Sequence, residues 1–240
     1  MFLIALFALG VLSGATAAVI GFGIGSLLTP FLLSRLSAPM AIAVVSLPHL
    51  LATAVRFTQH RRAVDSRVVV QFGLPSAAGG FLGAWTQQML SESALFVALG
   101  VLLLATAVAS LTGNFGGRQP SAPIASALGA FAGFSGGLVG NQGGLRAAGL
   151  LAFQLQPRAY LATGTAVALL IDAARTPVYL ARAGSELRPL VVPIAVAAAG
   201  CLLGTVLGEK VFLGIRPDRY RQVVGLAVGA LGLWLLARVP

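Results

Sequence analysis

The chain has 240 residues, 58% of them hydrophobic and 9% charged. A soluble domain carries roughly 25% charged residues, so the composition excludes an ordinary globule and indicates a helical membrane protein. The formal net charge of +10 invites a nucleic-acid reading, but basic residues gathered in loops between apolar runs orient membrane proteins and call for no nucleic acid.

Ten apolar segments follow in chain order. The first five are 2–20, 24–34, 38–58, 67–89 and 93–112; the second five are 122–139, 144–155, 157–181, 188–209 and 217–238. A full crossing needs about 20 residues at 1.5 Å each. The second and seventh segments are too short for that and read as half-helices, each forming a broken or re-entrant hairpin with the segment before it. The opening MFLIALFALGVLSGATAA resembles the apolar part of a signal peptide, yet it lacks the positive flank and is read as retained. The single cysteine, Cys201, excludes an intrachain disulfide and a cysteine metal site. Two histidines without clustered carboxylates or thiols do not make a metal site, and there is no Walker loop and no nucleophile–base pair. The expectation is therefore no cofactor, no metal and no enzymatic activity.

The two halves repeat one another. LGVLSGATAAVIGFGIG (9–25) aligns with LGAFAGFSGGLVGNQGG (128–144) at an offset of 119, so that Gly10, Gly14, Gly21 and Gly25 fall on Gly129, Gly133, Gly140 and Gly144. Arg56 falls on Arg175 at the same offset; in the fourth segment the offset drifts to 121 and aligns Gly79 and Gly83 with Gly200 and Gly204. The expected organisation is one integral membrane domain made of a first repeat (1–113), a linker (114–121) and a second repeat (122–240). Basic residues collect at Arg61, Arg62, Arg67, Arg118, Arg158, Lys210, Arg216, Arg219 and Arg221, in loops of equal parity. That side is expected to be cytoplasmic and both termini periplasmic. Each half crosses an odd number of times, so the repeats are expected to be inverted, as in many secondary transporters.

Paired, glycine-interrupted segments in two halves point to a transporter's binding site, because backbone leaves helical form at membrane depth only where protein or a wet cavity covers it. In GFGIGSLLTP, Gly21, Gly23 and Gly25 are expected to take positive φ and expose amides at the start of a half-helix; GNQGGLRAAG does the same with Gly143 and Gly144 and adds Asn141, Gln142 and Arg146. The alternative is tight glycine packing without a ligand. Arg146 within an apolar run costs at least roughly 2.5–3.5 kcal/mol unless paired or wet; it contacts an anion or snorkels to an interface. Ser46 and His49 flank Pro48 in the third segment, and His49 either meets substrate, relays a proton or makes a structural bond. Thr163 and Thr165 correspond to Val44 and Ser46. Asp172 and Arg175 share a helix face at i,i+3 and act as a structural lock or as a proton or ion coupler. Arg56 and Arg175 attract anions at the two mouths or snorkel. Asp65 is expected to cap the helix that follows it, and Trp85 and Trp234 to anchor at an interface.

The duplicated turns GFGIGSLLTP and GNQGG, Ala41, Ala43 and Ser46 in the third segment, ATGT (162–165) in the eighth and RRAVD (61–65) resemble the TauE/SafE-type sulfite exporter family, also called TSUP transporters, over nearly the whole chain. The resemblance implies a bacterial inner-membrane carrier of two inverted repeats, moving a small anion such as sulfite, a sulfonate or sulfoacetate. Separately, Asp172 is the candidate for coupling to a proton or another ion. The alternatives are a passive anion channel on the same scaffold and a membrane accessory protein that transports nothing.

Overall fold

The computed structural model describes residues 1–112, 120–211 and 217–239. The elements are α1 (Phe2–Ile20), α2 (Ile24–Leu32), α3 (Ala38–His60), α4 (Ser66–Val68) running through a π-helical turn (Val69–Gly73) into α5 (Leu74–Thr86), α6 (Glu92–Thr112), α7 (Ala122–Val139), α8 (Gly143–Leu151), α9 (Pro157–Leu187), α10 (Val191–Val211) and α11 (Pro217–Leu236). Among the described residues the protein is all helix, and six helices are long and apolar enough to cross a membrane. Prolines in the first turn start α3, α7 and α9, where the missing N–H has no intrahelical partner anyway. Most of the predicted linker, with Arg118, lies outside the described residues, as do Arg216 and the side chains of Lys210, Arg219 and Arg221.

The half-helices α2 and α8 have nine residues each, about 13 Å, so neither can cross a bilayer. Phe31 beyond the middle of α2 stacks on Phe2 at the start of α1, with ring centroids 5.6 Å apart. Thus α2 doubles back along α1. Phe153, just past α8, packs edge-on against Phe72, and Phe72 lies against Gly129 in α7, so α8 doubles back along α7.

The packing is two-fold in pattern. α1 lies along α10, and α7 along α5; α3 packs on α10, and α9 on α5; α3 meets α9, and α6 meets α11. Exchanging the first five segments for the last five maps these neighbours onto themselves. α3 and α9 run antiparallel, since the end of α3 and the start of α9 (His60, Arg158) share one cavity, while the start of α3 and the late part of α9 (Pro39, Tyr179) share another.

Glycine seams make the close packing possible. A Cβ on Gly14 would sit 2.2 Å from the Cys201 carbonyl oxygen, and one on Gly133 1.8 Å from that of Ser76. These contacts correct the alignment of the fourth segments. Gly79 faces Ala130 as Gly204 faces Val11, and Gly83 faces Phe134 as Gly208 faces Ala15. The counterparts of Gly79 and Gly83 are therefore Gly204 and Gly208, one helical turn beyond the pairing expected from sequence. Glycine recurs every fourth residue at 200, 204 and 208, so the sequence fits either register and packing selects one.

The outer surface is apolar, with Ile4, Leu82, Val101, Phe131 and Leu233 exposed, as hydrocarbon contact requires. At one end Glu92 accepts the Ala38 N–H at 3.1 Å, Arg182 stacks over Trp85 and Arg238 over Trp234. Arg61, Arg62 and Arg158 gather at the other end, where Asp65 caps Val68 as expected, at 3.1 Å.

Gly133→Ala is expected to destabilise the protein by about 1–3 kcal/mol through overpacking. Gly184, with nothing within 4 Å of a built Cβ, should tolerate alanine or gain stability from it. Thermal melts of the two purified variants in detergent check this, and equal midpoints would contradict the seam.

Candidate functional site

Both hairpins break in the same way. Gly21 ends α1 with φ 84° and Gly140 ends α7 with φ 73°, the left-handed cap that glycine adopts without steric cost. Their N–H groups return to the carbonyls of Ala17 and Gly136, each at 3.0 Å. Those two carbonyls each accept a second hydrogen bond, from Arg56 Nη1 to Ala17 and from Arg175 Nη1 to Gly136. The two arginines are thus equivalent caps on the negative ends of two helices that stop inside the protein. They are 2% and 1% exposed, so neither snorkels and neither sits at a mouth.

Only some of the glycines are used as expected. Gly21 and Gly23 have positive φ; Gly25, Gly143 and Gly144 do not. Gly25 and Gly143 are small because the hairpin tips interlock, and Gly144 because α8 starts against α6. A Cβ on Gly25 would lie 2.3 Å from the Gly140 carbonyl oxygen, one on Gly143 2.2 Å from Phe22 Cβ, and one on Gly144 2.1 Å from Thr106 Oγ1. Across the junction Arg146 Nη2 donates to the Gly21 carbonyl at 2.6 Å, and Ser26 Oγ donates to Asn141 Oδ1 at 3.1 Å. The two turns, far apart in sequence, are in direct contact, and the opening turns of α2 and α8, whose first N–H groups lack intrahelical partners, begin there.

Arg146 is 3% exposed, so it does not snorkel either. Its Nη1 has no hydrogen-bond partner, nor does Nδ2 of Asn141. A cavity of about 10 Å³ lined by Gly21, Arg146, Tyr160, Leu161, Gly164 and Thr165 lies beside it. That accommodates about one water, so the site is closed to a larger anion in this arrangement.

Asp172 joins the turns to the long helices. It is fully buried. Its Oδ2 lies 2.6 Å from His49 Nδ1, and its Oδ1 accepts from Gln142 Nε2 and Arg175 Nε, each at 3.0 Å. Thr53 Oγ1 lies 3.3 Å from the same histidine nitrogen. His49, Gln142, Asp172 and Arg175 therefore form one network connecting α3, the second turn and α9. Three arginines and one carboxylate are buried among the described residues, an excess of positive charge that suits an anion.

Other expected site residues lie differently. Ser46 Oγ is taken up by the Ala43 carbonyl and Thr165 Oγ1 by that of Leu161, although Thr165 does line the cavity. Thr163 Oγ1 accepts the Asp65 N–H at 2.9 Å; it ties the loop before α4 to α9 and is not brought to the turns. Four contacts escaped the sequence reading. Tyr179 donates to the Gly137 carbonyl, Gln87 to that of Leu138, Tyr160 to that of Ala147, and Ser26 bonds Asn141. Of these, Tyr179 stands one turn beyond Arg175 and Ser26 follows Gly25 in the first turn, as Thr53 stands one turn beyond His49.

Among known families, that of the sulfite exporter TauE/SafE matches residues 6–235. The chain belongs to the TauE/SafE sulfite exporter family. Neither a curated protein nor a solved structure matches it. This TauE/SafE protein is a multi-pass membrane protein of a transporter family, and the interlocked glycine turns lie well inside the matched region.

Replacing Asp172 by Ala should cost about 3–5 kcal/mol, because it leaves the Arg175 charge buried and uncompensated. Asp172→Leu combined with Arg175→Met removes the buried charge and should recover part of that loss, the rest going with the Arg175 bond to the Gly136 carbonyl. Chemical unfolding of the single and double variants decides it: a double variant no more stable than the single one would rule out the ion pair as the lock.

Proposed function

We propose that the protein is a secondary carrier of a small oxyanion of the sulfite or sulfonate kind, bound where the two glycine turns meet. The observation that carries this reading is Arg146: a buried guanidinium on one half-helix, hydrogen-bonded across to the turn of the other hairpin, with one nitrogen unpartnered beside a cavity. A buried guanidinium left unpaired is costly, and a bound oxyanion would supply the partner. Asn141 Nδ2 and the first amides of α2 and α8 would add donors, and Gln142 would link the anion to Asp172.

On this reading the halves are inverted repeats, the arginine-rich end faces the cytoplasm and both termini face the periplasm, in the inner membrane. The two-fold exchange of neighbours and the antiparallel run of α3 and α9 support the inversion. The small size of the cavity supports alternating access, since an oxyanion can enter only when the interlocked tips part toward one side. The His49–Asp172 contact is the candidate coupling element: an imidazole bonded to a carboxylate can release a proton to one side as the tips move.

Arg146→Ala should abolish sulfite uptake into proteoliposomes and remove any stabilisation of the protein by sulfite in a thermal-shift titration, while Arg146→Lys should keep the charge and lose the bidentate fit. Wild-type uptake and stabilisation that survive Arg146→Ala would sink the proposal. Preloading the vesicles with sulfite should accelerate uptake, and flux without such exchange would make the protein a channel. In His49→Gln, uptake should stop responding to an imposed pH gradient; an unaltered response would remove the histidine from coupling.

A further inference from the structure

The arginine-rich end carries a second cavity. It has a volume of about 250 Å³ and is lined by Thr58, Gln59, His60, Arg61, Arg62 and Arg158. Arg61, Arg62 and Arg158 are exposed, no carboxylate is among the lining residues, and the first half supplies all of them except Arg158. Arg158 stands in the first turn of α9, where the helix dipole adds positive potential.

The position of this cavity relates it to the buried site. Arg158, Leu161 and Thr165 follow at i, i+3 and i+7 on α9 and share one face of that helix. Arg158 lines the outer cavity, while Leu161 and Thr165 line the one beside Arg146. Thr165 is about 10 Å along the helix axis from Arg158. The two cavities therefore occupy successive turns of one helix face, and Tyr160, bonded to the Ala147 carbonyl at 3.0 Å, lines the inner one.

The opposite end has a cavity at equivalent positions but with other chemistry. Its volume is about 350 Å³, and Pro39 and Tyr179 line it, the residues that match Arg158 and His60 at the offset of 119. Its arginine, Arg182, is stacked on Trp85 and donates to Gln88 at 2.7 Å, and Glu186 shares the lining. One mouth thus offers three guanidiniums and no carboxylate, the other a single engaged arginine and a glutamate.

We infer that Arg61, Arg62 and Arg158 form an outer docking site that gathers the transported oxyanion at this face and feeds it along α9 to Arg146. This rests on the anion-carrier reading. Clefts of one charge raise the local concentration and association rate of opposite ions, and salt weakens the effect. The same guanidinium chemistry would also hold a lipid phosphate, so the test separates the two sources.

The probe is sulfite. The variant carries Arg61→Gln, Arg62→Gln and Arg158→Gln together, and Arg35→Gln at the opposite end is the control. In proteoliposomes of neutral phosphatidylcholine, the sulfite concentration for half-maximal transport from the arginine-rich face should rise about tenfold in the triple variant, and its dependence on salt should flatten. Arg35→Gln should change neither. An unchanged half-saturation and salt dependence would overturn the docking site. So would an effect seen only with phosphatidylglycerol present, which would give the cavity to a lipid headgroup. Equilibrium binding of labelled sulfite in neutral detergent distinguishes the two sites directly. Arg146→Ala should retain the weak outer binding and lose the inner, and the triple variant should do the reverse. Outer binding that persists in the triple variant refutes docking, whereas inner binding that persists in Arg146→Ala refutes the carrier site alone.

Discussion

The structure depends on ending two helices inside the protein, where no bulk water can satisfy their last carbonyl groups. A buried polar group left unpaired costs about 1–3 kcal/mol. Here the left-handed glycines Gly21 and Gly140 turn the chain back, and Arg56 and Arg175 reach across to the Ala17 and Gly136 carbonyls. Arg146 does the same for Gly21 itself. The guanidinium is suited to this work because it has five donors in a fixed plane. Satisfying helix ends in this way brings positive charge into an apolar interior, and Asp172 offsets only part of it. The positive charge of the interior is thus a consequence of how the backbone is terminated.

The scaffold is two-fold in pattern, but its side chains are not. Arg56 and Arg175 are true counterparts with the same partner carbonyl in each half. The position of Asp172 is held by Thr53 in the first half, that of Asn141 by Phe22, and that of Arg146 by Leu27. The first hairpin contributes backbone, a carbonyl and a close-fitting surface, and the second contributes the polar side chains. The interlocked tips leave space for one set of projecting groups: Phe22 fills the region that Gly143 vacates, and Arg146 reaches the turn opposite.

The seams and the interlock differ in how tightly they close. Membrane helices gain little from burying apolar surface against one another, so close backbone approach is their main source of adhesion. The seams of α1 on α10 and of α7 on α5 are backbone-to-backbone contacts through glycine, whereas the tips meet through Gly25 and Gly143 with a cavity of about 10 Å³ beside them. The seams hold each hairpin to a long helix of the other half.

Hydropathy and length by themselves determined the ten segments and the two half-helices, because membrane crossing imposes a length and an apolar composition that any reader of the chain can measure; the repeat was legible in the spacing of the glycines. They also singled out the glycine turns, Arg146, His49 and the Asp172–Arg175 pair, since polar groups stand out in an apolar sequence. Only the tertiary structure decided how those residues are used. It placed Arg56 and Arg175 on helix ends, because their partners are carbonyls, which no side-chain pattern records. It took Thr163 to the Asp65 loop and gave Gly25, Gly143 and Gly144 a steric role. It also set the register of Gly79 and Gly83 one turn beyond the apparent repeat. A glycine reads the same in sequence whether it frees φ or admits a neighbouring backbone, and only the neighbour distinguishes the two.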